Sequence, residues 1–171
     1  MNTAKTYQSI IKMVSSYSAQ LAMLKEEDFQ LSPPIGGWSY SEVYSHIFDS
    51  SLLTLMAIEK CINGEGENKP TTMVAKVVLL FGFLPKVKVP AKLADRVKKI
   101  DLQTAQQLIT KFELQLATVY PQIAQGKSNV KVKHPKLGYL NAKQWLRFVE
   151  IHFNHHLKQL NRIKHSFKTA H

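Results

Sequence analysis

The chain has 171 residues, 44% of them hydrophobic and 20% charged, a balance that supports one domain with a full core and excludes an intrinsically disordered protein. A formal net charge of +11 at pH 7 admits anionic partners, from nucleic acid to a small anionic molecule. No apolar run reaches the roughly 18 residues of a membrane-spanning helix; the longest, MVAKVVLLFGFL at 73–84, contains Lys76.

From the N-terminus, Tyr7, Ile10, Ile11, Val14, Tyr17, Leu21 and Leu24 recur at steps of three and four, which predicts an amphipathic helix over 3–24. LSPPIGG at 31–37 breaks the chain with paired Pro and paired Gly. Ser39 and Glu42 have the capping-box spacing, so a second helix is expected over 40–62, ended by NGEGENKP. A shorter helix fits 71–82. The loop LPKVKVP, with Pro near both ends, leads into a basic stretch, 85–99, that sets Lys and Arg against the single Asp95. Asp101 is placed to cap a helix over 102–125, with Leu108, Phe112, Leu116 and Val119 on one side. KSNVKVKHPKLGYL then reads as a basic connection. Asn141 followed by Gln144 opens a last helix over 142–166. NVKVK and KVKV alternate, but each is too short to found a sheet. The expected fold class is all-α, a single domain over 1–171 built as a bundle of four long helices with minor extra pieces.

Three of the seven histidines fall within EIHFNHHLKQL, 150–160. At about 100° per residue, with His152 at zero, Trp145 and Ile163 lie near 20°, His156 near 40° and Phe148 near −40°. His152 and His156 therefore sit on the apolar stripe one turn apart. His155, near about −60°, marks its rim, and Gln159, near about −20°, faces inward. His46 lines up with Val43, Ser50, Leu53 and Ala57 and also points inward, with Asp49 three residues on. Two readings follow. These imidazoles are hydrogen-bonded core residues, or His46, His152 and His156 are three ligands of an open metal site whose remaining position takes water or substrate. Imidazole suits several divalent metals, Zn, Ni, Fe and Cu among them. Asp49 and Gln159 are the candidates for fixing ring tautomers from behind. No Gly-rich phosphate loop, Cys cluster or Ser nucleophile motif is present. The basic stretches do not interleave aromatics, so nucleic acid, admitted by the charge, is not the favoured partner.

Two segments, GGWSYSEVYSHI and HPKLGYLNAKQWLRFVEIHFNHHLKQ, resemble the DinB/YfiT-like metalloenzyme superfamily. The second is similar to a DinB-related branch of bacterial proteins with His-Pro, then Gly, then Trp, then HxxHHLxQ. The resemblance implies a four-helix bundle with a long crossover and a divalent metal, nickel or zinc, on His46, His152 and His156. It further implies a small-molecule substrate, a homodimer and, in some relatives, a low-molecular-weight thiol as second cofactor. His155 falls on the family's middle histidine, and His134, of the His-Pro pair, is set with Trp145 at the cavity wall or in a loop. One departure stands out: many members follow the last ligand with Arg-Gly-Gln, whereas Leu157 and Lys158 precede Gln159 here. The expected activity is that of a metal-dependent hydrolase or thiol-dependent transferase. The alternatives are a non-catalytic metal- or ligand-binding stress-response module and an anion or nucleic-acid binder using the basic loops. Neither a signal-peptide core nor a second cysteine beside Cys61 is present, and the expected location is the cytoplasm, without a membrane contact.

Overall fold

The computed structural model describes residues 2–84 and 97–169. Of the basic stretch 85–99, residues 85–96 lie outside the described residues. Four long helices carry the fold: α1 (Thr3–Leu21), α3 (Tyr40–Ile62), α5 (Leu102–Val119) and α6 (Ala142–Thr169). Among the described residues, two shorter ones, α2 (Glu26–Gln30) and α4 (Met73–Phe81), lie between them, and a 3-10 helix (Tyr120–Gln125) follows α5.

Each long helix buries the stripe its sequence period dictates, Ile10, Val14, Tyr17 and Leu21 in α1 and Ala105, Ile109, Phe112, Leu116 and Val119 in α5. The starts are fixed by side chains. Ser39 and Glu42 close a reciprocal box on α3, Asp101 accepts from the Thr104 amide at 2.6 Å, and Asn141 and Gln144 exchange two bonds of 3.0 Å at the start of α6. The predicted ends are less exact. α1 stops at Leu21, and Met23 and Leu24 close turns onto Gln20 and Leu21 instead. α5 gives way after Val119 because Pro121 has no amide hydrogen to donate, and the chain tightens into 3-10 geometry.

α3 packs against α5 and α6, and α1 packs against the same two, so α1 and α3 stand diagonally across the bundle. The pairs Tyr40–Phe167 and His46–His152 run in opposite order along α3 and α6, and Cys61 near the end of α3 meets Leu140 just before α6, so the two helices are antiparallel. Ser41, at the start of α3, bonds both the amide and the carbonyl of Ile100, just before α5. α3 and α5 thus begin at the same end of the bundle and run parallel. The connection between them must travel back the length of the bundle, and this is the expected long crossover. α4 lies on it and buries only Ala75 and Val78, while Met73, Val74, Leu80 and Phe81 stay exposed.

The core centres on Tyr17, Tyr44, Phe48, Phe112 and Phe153, whose rings meet mostly edge to face at 5.1–6.2 Å. Their polar tips are satisfied: the Tyr17 hydroxyl donates to the Phe153 carbonyl at 2.9 Å, and the Tyr44 hydroxyl to the Tyr17 carbonyl at 2.8 Å. One hairpin, β1 (Val132–His134) paired antiparallel with β2 (Gly138–Leu140), closes the end of the bundle where α6 begins. The connection expected over these residues is thus partly strand. Three-residue strands are held by tertiary contacts, here Thr71 bridging Gly138 and Glu67 bridging Lys131, and carry no readable period.

Candidate metal centre

His46 lies two turns into α3, and its position follows from the Ser39–Glu42 box and the Ser41–Ile100 tie that fix the helix start. His152 and His156 lie mid-way along α6, where the Tyr17 bond to the carbonyl of the adjacent Phe153 anchors the backbone. The three rings converge. The Nε2 atoms of His46 and His152 are 3.3 Å apart, those of His152 and His156 3.0 Å, and the three ligand atoms all lie within 4.8 Å of one another. A cation with metal–nitrogen bonds of about 2.0–2.1 Å holds its nitrogens roughly 3.0–3.4 Å apart.

The donor chemistry fits a cation. Gln159 presents Oε1 to His156 Nδ1 at 2.9 Å, so this Nδ1 carries the proton and His156 Nε2 turns a lone pair toward His152. His152 Nε2 has one position for a hydrogen yet faces two other Nε2 atoms. Neutral rings can meet both contacts only by sharing that one position between two neighbours, whereas a cation takes a lone pair from each of the three nitrogens at once.

Burial keeps the rings neutral. His152 and His156 are 8% and 5% exposed, and His46 is partly buried. Desolvation pushes His46 down to about 4 against the attraction of Asp49, and His156 down to about 3 with repulsion from His46 added. His152 is driven well below the usual imidazole range by burial and by both neighbouring rings. Trp38 stacks parallel to His156 at 6.1 Å and meets His46 at 5.0 Å, and Phe148 stacks on His152 at 5.4 Å. Phe148 was readable from its angle on α6, but Trp38 precedes its helix and has no period to betray its direction.

Asp49 acts on His46 through its charge. His155 is partly buried beside His156, ring centroids 5.0 Å apart. His134, at the end of β1, accepts from the amides of Lys136 and Leu137 on Nδ1, each at 3.1 Å, and packs on Trp145 and Phe148 at 5.2 and 4.6 Å. Burial holds it down to about 4. It therefore serves the hairpin turn with one nitrogen and the wall behind His152 with its ring. Trp145 is buried at 4% exposure, with its Nε1 hydrogen lacking a partner among the described residues.

The profile of DUF1569, a protein family of unknown function, matches residues 8–163. The chain belongs to this family. No curated protein sequence matches it. Among solved structures, YfiT from Bacillus subtilis, described as a probable metal-dependent hydrolase with an unusual four-helix bundle topology, aligns at 15% identity and a TM-score of 0.58, over 97% of this chain and 87% of that one. TT2238, a four-helix bundle protein, aligns at 15% identity and a TM-score of 0.53, over 94% of this chain and 99% of that one. A mutant of the mycothiol-dependent maleylpyruvate isomerase gives 12% identity and a TM-score of 0.64, over 88% of this chain and 57% of that one, so this DUF1569 chain spans little more than half the isomerase. These likenesses establish a fold shared with YfiT and the isomerase.

Proposed function

We propose that His46, His152 and His156 hold a divalent cation, nickel or zinc, and that the protein is a metal-dependent enzyme acting on a small molecule as a hydrolase or a thiol-dependent transferase. The observation that carries the reading is the convergence of three neutral Nε2 atoms, from two antiparallel helices, at coordination spacing. The shared fold with a probable metal-dependent hydrolase and a mycothiol-dependent isomerase supports it.

Bound there, a cation with an open position brings a coordinated water to a pKa of roughly 7 and stabilises a thiolate at neutral pH. The chain's residues prepare that position. Gln159 holds His156 in the tautomer that frees Nε2. Trp38 and Phe148 shut two sides against water and fix the ring planes. Asp49 supplies partial charge balance behind His46. His155 stands at the rim, and His134 and Trp145 back the Phe148 wall.

Metal analysis of protein purified without chelator tests the reading. The expected content is close to one divalent cation per chain, falling below about a tenth in His152→Ala. Wild-type protein that contains less than about a tenth of an equivalent and takes up none on titration removes it.

A further inference from the structure

α4 has two apolar faces, and the bundle covers one of them. At about 100° per residue from Val77, the positions Val78, Ala75 and Leu79 fall near 100°, 160° and −160°. These pack inward, Ala75 and Val78 buried and Leu79 half-buried. Met73, Val74, Leu80 and Phe81 fall near −40°, 60°, −60° and 40°, so with Val77 they make a second stripe, about 120° wide, on the far side. These five and Phe83 are 43–74% exposed, and the Phe83 ring joins the stripe through Phe81, 6.3 Å between centroids. A helix apolar all round is ordinarily buried all round. Here several hundred Å² of contiguous apolar surface faces outward, against about 300–600 Å² for the largest patch of an ordinary monomer.

The charges bordering the stripe are of one sign. Residues 68–84 and 127–149 contain no Asp or Glu. Lys76, the one polar residue of α4, stands exposed at the edge of the stripe, near about −100°. At the start of α4 the Thr72 hydroxyl donates to the Leu137 carbonyl at 2.8 Å, which brings the exposed Lys136 beside that end. Two acids lie on segments that meet α4, and both are matched: Glu67 pairs with Lys69 at 2.7 Å, and Glu150 pairs with Arg147, whose Nε donates to the Leu79 carbonyl. Side chains this exposed project as a ridge. A second copy, docked by the same face, would bring two sets of these lysines together. A lipid surface receives an apolar ridge without needing a matching shape, and an anionic one also attracts its lysine border.

We propose that the outer face of α4 docks on an anionic lipid bilayer, its apolar stripe entering the boundary between headgroups and acyl chains while Lys76 and Lys136 meet the acidic headgroups. The helix lies in the plane of the membrane, its stripe about 5–10 Å deep. No span is involved. α4 has nine residues against the roughly 20 that cross a bilayer, and no helix among the described residues is long and apolar enough to do so. The expectation of no membrane contact follows from the lack of a span, and a surface contact needs none. The docking is reversible, because a stripe this short and a few lysines hold the protein only in combination.

The test mixes the full chain with large vesicles of phosphatidylcholine, alone or with about 30% phosphatidylserine, and reads the bound fraction after flotation. The expected result is binding at least about tenfold stronger to the anionic vesicles, weakening as salt rises from about 0.1 to 0.5 M. Leu80→Ser combined with Phe81→Ser lowers vesicle affinity at least about tenfold with the urea midpoint unchanged, since both side chains are exposed. Lys76→Glu lowers it at least about fivefold. Leu114→Ser, at an exposed apolar position on α5, leaves it unchanged. Absence of binding to either vesicle overturns the proposal, as does equal binding to both. Binding that persists in the double variant is the attraction of a +11 chain alone and also overturns it. Sedimentation equilibrium without lipid separates the other occupant: a dimer that the double variant reduces to monomer assigns the face to a second copy and overturns the lipid contact.

Discussion

Gln159 gives His156 one oxygen, and that contact decides which ring nitrogen is left bare. Gln159→Leu is expected to weaken metal affinity by about 10–100-fold, measured by competition with a chromophoric chelator, and to change the unfolding free energy of the metal-free protein in urea by less than about 1 kcal/mol. Tyr17→Phe should do the reverse. It removes the donor to the buried Phe153 carbonyl, and equilibrium unfolding in urea is expected to show a loss of about 1–3 kcal/mol. At this scale the sequence was informative where helical period applies. His46, His152, His156 and Gln159 were all assigned inward from their angles alone. Trp38 was not: it is aimed by a loop containing Gly36 and Gly37 at positive φ.

Capped helices and the hairpin differ in how local their causes are. The Ser39–Glu42, Asp101–Thr104 and Asn141–Gln144 contacts span three residues each and could be read directly. Ser39 is fully buried, and Ser39→Ala should cost about 1–2 kcal/mol in thermal or urea unfolding, because the hydroxyl is both acceptor from the Glu42 amide and donor to its carboxylate. The β1–β2 hairpin depends instead on residues some 70 positions away. Gly138 has a φ of +76° and a Cβ there would lie 2.6 Å from Thr72 Cγ2, so both backbone and space require glycine. Gly138→Ala is expected to lower stability by at least about 1 kcal/mol, with enhanced amide exchange at Val132 and Leu140 as the local readout. α2 leaves no sequence signal for a similar reason: five residues are too few to show a period, and its place is set by Glu26 accepting from the Leu102 amide at the start of α5.

For the molecule as a whole, the number of long helices was legible and their arrangement was not. Nothing in the sequence pattern says that α1 and α3 stand diagonally or that α3 and α5 run parallel; that order follows from which buried faces fit together. Global stability should also respond to pH through the buried histidines. His134 titrates near 4 in the fold and near 6.5 in an unfolded chain, so the unfolded state binds the extra proton between those values. Stability from this group is complete above about 6.5 and is lost as pH falls toward 4, by up to about 1.4 kcal/mol per pH unit. His134→Asn keeps an acceptor for the Lys136 and Leu137 amides and should flatten that part of a urea-midpoint against pH curve.

His46 and His152 stand 106 positions apart in the chain. An ion gripping both ties most of the polypeptide into a ring, and an unravelled chain held that way has far fewer shapes to explore, an effect of about 4–5 kcal/mol for a link of this span in the chain-entropy picture. Strength of grip and resistance to unravelling then become one quantity. Stripping the ion would be felt in parts of α1 and α5 that never approach it.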